Sequence, residues 1–126
     1  MYTSIKSFFF TNIIFLSSGF SQSECDSVRY NTELFSDINV TTDIEYGENI
    51  SEDILGIEYT QTLYLDVYTP VNDSISGRPL IIFLFGGAFV GGSKTSSVMQ
   101  ELCSRYAKMG YVASAIDYRL TPTLIW

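Results

Sequence analysis

The run "PLIIFLFGGAFVGGSK", Pro79 to Lys94, constrains this chain more than any other stretch. An apolar segment without alternation reads as a central strand covered on both faces. It stops at a loop holding four glycines in seven positions, Gly86 to Gly92. "SSVMQELCSRYAKMG" then changes the period to 3.6, with Val98, Leu102, Tyr106 and Met109 on one stripe, joined by Met99 and Cys103. Ser97 and Gln100 have capping-box spacing, and Gly110 suits a helix stop. "YVASAID" is a second short apolar strand. Strand, helix, strand predicts a βαβ unit of parallel strands with a right-handed crossover. The glycine loop then lies at the carboxyl end of a parallel strand, where open α/β sheets place their ligands.

Upstream the pattern is different. "DINVTTDIEYG" alternates Ile38, Val40, Thr42, Ile44 and Tyr46, the signature of a half-buried strand. "TLYLDVYTP" sets Leu63, Leu65 and Val67 on one face and Tyr64, Asp66 and Tyr68 on the other. Pro70 ends it, and "VNDSISG" is a turn cluster. Short connections and one polar face each make these strands antiparallel in expectation. The chain stops at "YRLTPTLIW" with an uncovered sheet edge, so the expectation is the first part of a longer protein.

Fourteen acidic residues against seven basic ones give a net charge of −7, which repels nucleic acid. The start resembles an export signal. Lys6 precedes "FFFTNIIFL", seven apolar residues in nine, and small residues follow in "SSGFSQ". That core is far shorter than the roughly 18 residues of a spanning helix, so no stable membrane anchor is expected. The division expected is a signal peptide over 1–21 and a folded part over 22–126, secreted. In an oxidising compartment Cys25 and Cys103 could pair, although Cys103 falls on the inward side of the helix, where a free thiol serves as a small hydrophobe. Asn39, Asn49 and Asn72 each head an N-x-Ser/Thr sequon.

Several chemistries use a glycine-rich loop. A phosphate-binding P-loop needs Lys followed by Ser/Thr, whereas Ser93 precedes Lys94 here. A dinucleotide loop of the form G-x-G-x-x-G fits Gly86 to Gly91 only with Ala88 at the second glycine, where a methyl would crowd the pyrophosphate. The loop could also be only a turn. Or it could aim backbone N–H groups at an oxyanion.

The surroundings resemble one family, the carboxylesterase and lipase branch of the α/β-hydrolases. "LYLDVYTP" is similar to that family's "LYLNVYTP" strand. "LIIFLFGGAFVGGS" resembles its "HGG(G/A)F…GS" oxyanion loop, and "GYVASAIDYRLTP" resembles the strand that follows, over roughly Thr60 to Pro122. The resemblance implies an α/β fold: a hydrolase-type sheet with antiparallel N-terminal strands followed by the βαβ unit, incomplete in these residues. It implies a serine nucleophile, an acyl-enzyme and a small-molecule ester substrate, with no cofactor and no metal. By the family pattern Gly87 and Ala88 donate the oxyanion-hole N–H groups, Gly86 makes the turn, and Phe89, Gly91, Gly92 and Ser93 shape the loop. Phe85 departs from the pattern, because a phenyl ring cannot make the hydrogen bonds of the usual histidine.

The triad is not in these residues. There is no G-x-S-x-G elbow and no histidine, so Ser93, Ser96 and Ser97 have no base to activate them. Asp117 and Arg119 read as structural charges. The chain alone is therefore expected to be inactive, its nucleophile and base lying elsewhere. The other reading is a catalytically inactive hydrolase-fold protein used in binding or adhesion, or a truncated gene product.

Overall fold

The computed structural model describes residues 28–121. The expected signal segment and Cys25 lie outside the described residues. Four strands and one helix follow in order: β1 (Ile38–Glu52), β2 (Glu58–Pro70), β3 (Leu80–Leu84), α1 (Ser97–Lys108) and β4 (Val112–Ile116). They form one mixed sheet in the order β1-β2-β4-β3. β1 and β2 are antiparallel, as their short connection and patterning predict, and β2 is antiparallel to β4. β3 and β4 pair in parallel, with α1 between them in the chain.

α1 covers one face of the sheet. Its buried residues Met99, Cys103 and Ala107 recur every fourth position, so one row of the helix meets the strands. Cys103 and Ala107 face Ala113 and Ala115 of β4 in the same core, all at 0 % exposure. Small side chains on both elements let the helix axis approach the strand closely. Val98, expected on the inward stripe, is exposed because it sits one step round the helix from Met99. The N-cap is Ser96 rather than Ser97, and no side-chain cap bond forms there. Gln100 instead donates Nε2 to the Thr95 carbonyl at 3.2 Å, so the expected capping box is absent.

The structure corrects three strand expectations. β1 is an edge strand and mostly exposed, including Val40, Ile44 and Tyr46, so it is not half-buried. β3 is also at an edge of the described sheet, not at its centre. Ile81 and Phe83 turn toward α1, but Leu80, Ile82 and Leu84 are more than half or half exposed, since no described element covers that side. In β2 the inward face is the one with the polar residue. Asp66 and Tyr68 are buried, while Leu63, Leu65 and Val67 are only partly so.

The segment before β1 is held against the far end of α1. Arg29 Nη2 binds Asp73 Oδ2 at 2.5 Å and lies over the rings of Tyr30 and Phe35. Arg78 Nε reaches the same carboxylate at 3.0 Å. Asp73 thus joins the entry of the chain to the β2–β3 turn. Burial alone would raise its carboxyl pKa, but the bonds from Arg29 and the Ile75 N–H, with both guanidinium charges, hold it below the usual value.

Candidate functional site

β3 ends at Leu84, and the chain dives into the core at Phe85, only 6 % exposed. The Phe85 ring stacks on Tyr118 at 4.4 Å between centroids, and Tyr118 donates its hydroxyl to the Phe85 carbonyl at 2.7 Å. Ring packing thus fixes the start of the loop, at the position where a histidine would use hydrogen bonds. The ring also explains Gly92, where a Cβ would fall 2.2 Å from Phe85 Cδ2, at a backbone φ of +123°.

The loop itself turns tightly. Gly87 has φ +148°, and a Cβ there would lie 1.8 Å from the Gly91 carbonyl oxygen, so only glycine fits. Ala88 and Phe89 follow with φ of +52° and +65°. Non-glycine residues hold this left-handed conformation at a cost of about 1–2 kcal/mol each. Three bonds offset the strain: Val90 and Gly91 both donate N–H to the Gly87 carbonyl, and Thr121 donates to the Phe89 carbonyl at 2.7 Å. The Phe89 ring rests edge-on against Tyr118.

The residues singled out by sequence are brought together here. The N–H groups of Gly87 and Ala88 make no hydrogen bond among the described residues. Successive N–H groups in a left-handed turn form an anion-binding concavity. They border a depression of about 310 Å³ lined by Leu84 to Phe89 and Tyr118, mostly apolar. Gly86 has no positive φ, and a Cβ there would meet nothing within 4 Å. Ser93 shares a 2.7 Å hydrogen bond with Thr95. Among the described residues, no cluster of three His, Cys, Asp or Glu side chains could hold a metal ion.

Sequence reasoning missed the group that closes the loop. Lys94 is 3 % exposed, and its Nζ lies 2.6 Å from Asp66 Oδ1 on β2 and 2.8 Å from Asp43 Oδ1 on β1. Asp43 reaches it because β1 is irregular between Thr41 and Ile44 and Asp43 adopts φ +57°. The Asp43 N–H also bonds Asp66 Oδ1, at 2.9 Å. Burial pulls the Lys94 pKa down, but the hydrogen bonds to both carboxylates outweigh it and leave it above the usual lysine value. The available signal was the lone acid in the aromatic face Tyr64, Asp66, Tyr68.

Asp117, after β4, accepts the Lys94 N–H at 3.3 Å and donates its own N–H to Tyr64, while Arg119 donates to the Ile50 carbonyl. Cys103 is free, and burial followed by the nearby Asp66 charge pushes its thiol up to about 11.

The BD-FAE family model, an α/β-hydrolase-like esterase domain, matches residues 65–126. That stretch, just under half of the chain, is similar to this family. It takes in half of β2, all of β3, the glycine loop, α1 and β4. The match agrees with the superfamily read from the sequence motifs and does not single out the carboxylesterase and lipase branch. No curated protein matches the chain.

Proposed function

We propose that this chain supplies the oxyanion-binding loop of an exported carboxylic-ester hydrolase, working through a serine nucleophile and an acyl-enzyme. The observation that carries the reading is the pair of uncommitted N–H groups at Gly87 and Ala88, in a left-handed turn beyond a strand paired in parallel. As a serine oxygen attacks an ester, the carbonyl oxygen gains a full negative charge. Donors already fixed in place stabilise that charge without reorganising, so they lower the barrier more than they tighten substrate binding. The 126 residues contain no histidine and no G-x-S-x-G elbow, so nucleophile and base belong to other residues. Export by 1–21 belongs to the same proposal, with cleavage after Ser21.

The test removes one donor without bending the loop. Proline at position 88 is unsuitable, because its φ near −65° cannot replace the +52° of Ala88. An amide-to-ester substitution at Ala88 exchanges only the N–H for oxygen. In the active hydrolase that carries this chain, losing one oxyanion donor should lower kcat by about 10²–10³ with KM nearly unchanged. A kcat within a factor of about three of the parent would show that the loop is a turn and nothing more.

A further inference from the structure

Lys94 is a buried charge, 3 % exposed, yet ester cleavage gives it no chemical role. It sits where the glycine loop ends and α1 is about to begin. From there it makes bonds in three directions: Nζ to Asp66 on β2, Nζ to Asp43 on β1, and its own N–H to Asp117 after β4. The opposite arm of the loop is fixed separately, by Phe85 and Tyr118. A loop with two left-handed non-glycine residues at its tip reverts to ordinary backbone unless both arms are held. Lys94 holds the second.

We infer that Lys94, clamped by Asp66 and Asp43, is a positioning residue that keeps the Gly87 and Ala88 N–H groups in register for the oxyanion. This rests on the oxyanion reading of the loop. The geometry favours it over a merely structural pair for one reason. The clamp fastens a short loop to β1 and β2, and the Lys94 N–H ties it to Asp117 just after β4, whereas α1 and its core are held independently by Met99, Cys103 and Ala107. Loosening the clamp should therefore be felt locally.

Removing one partner alone would strand a buried charge and could unfold the protein. The decisive variant is therefore the double substitution Lys94→Met with Asp66→Asn, which leaves no unpaired charge buried. Asp43→Asn accompanies it, since that carboxylate is 70 % exposed and the buried pair survives its loss. Site-resolved amide exchange is read at Val90, Gly91 and Thr121, whose N–H groups close the loop, and at Cys103 and Ala107 in α1. The double variant should speed the loop amides about tenfold or more and leave the helix amides within about twofold. Asp43→Asn should do the same more weakly. Equal acceleration everywhere, or no acceleration in the loop, overturns the inference.

A second measurement separates this inference from the reading beneath it. In the active hydrolase the double variant should lower kcat with KM held. If the loop loosens and kcat does not move, the clamp stands and the oxyanion assignment falls.

Discussion

Two of the four loop glycines are required by geometry and two are not, which gives a test without any substrate. At Gly87 a methyl would sit 1.8 Å from the Gly91 carbonyl oxygen, and reaching the 3.0 Å at which real contacts begin needs a shift of roughly 1.2 Å. That oxygen belongs to the loop's own backbone, so it cannot swing aside like a side chain. The backbone φ of +148° adds strain of about 1–3 kcal/mol for any residue with a Cβ. Losing one of the bonds to the Gly87 carbonyl would add about 1 kcal/mol. Gly87→Ala should thus cost roughly 2–4 kcal/mol, near 8–16 °C in Tm for a domain of this size.

Gly86→Ala is the matched control. Its Cβ meets nothing within 4 Å and its φ is not positive, so alanine should be neutral or stabilise by about 0.4–1 kcal/mol through the unfolded chain. Gly91→Ala should behave like Gly86→Ala, since its Cβ also has open space. Gly92→Ala should resemble Gly87→Ala, because it meets the Phe85 ring and, at 2.8 Å, the Gly86 oxygen. Urea unfolding followed by far-ultraviolet circular dichroism gives the four values directly. If Gly86 and Gly87 lose the same stability within about 0.5 kcal/mol, the loop conformation described here is wrong.

Further expectations concern titration and access. Because the folded-state pKa of Asp73 is depressed, its stabilisation is present above the unfolded carboxyl pKa and is lost as pH falls through the folded one. Asp73→Asn should therefore flatten the stability profile below about pH 4, measured as urea midpoint against pH. In a Cys25→Ser variant, Cys103 should not react with a disulfide reagent at pH 8 until denatured, given 0 % exposure and a thiol near 11; prompt native labelling refutes this. N-terminal sequencing of exported product should begin at Gln22, and recovery of the protein from the cytoplasm with Met1 retained counts against export.

What could be read from the sequence was local. The change of period after Gly92 marked α1, and Gly110, with φ +100°, ended it as expected. The glycine spacing located the loop, because bare backbone at a strand end has few uses. What could not be read was which side of each strand faced inward. Alternation in β2 separates Leu63, Leu65 and Val67 from Tyr64, Asp66 and Tyr68, but hydrophobicity picks the wrong inner face. Asp66 is buried only because Lys94, 28 positions on, arrives to neutralise it. Likewise the unbroken apolar run of β3 states a demand for cover on both sides, and α1 satisfies only one among the described residues.

Phe85 shows how far such a local reading can mislead about a site. Taken as a missing histidine, it subtracts hydrogen bonds from the loop. In three dimensions it contributes a stacked ring on Tyr118, a carbonyl that accepts the Tyr118 hydroxyl, and a wall that only a glycine at position 92 can approach. A histidine would fix the loop by directional bonds that depend on its protonation; the Phe85 packing carries no proton at all. If the loop binds an oxyanion, its hold on that geometry should not follow the titration of any group at position 85, so a pH dependence of the rate arises elsewhere, in the residues that do the chemistry or in the charged clamp on Lys94.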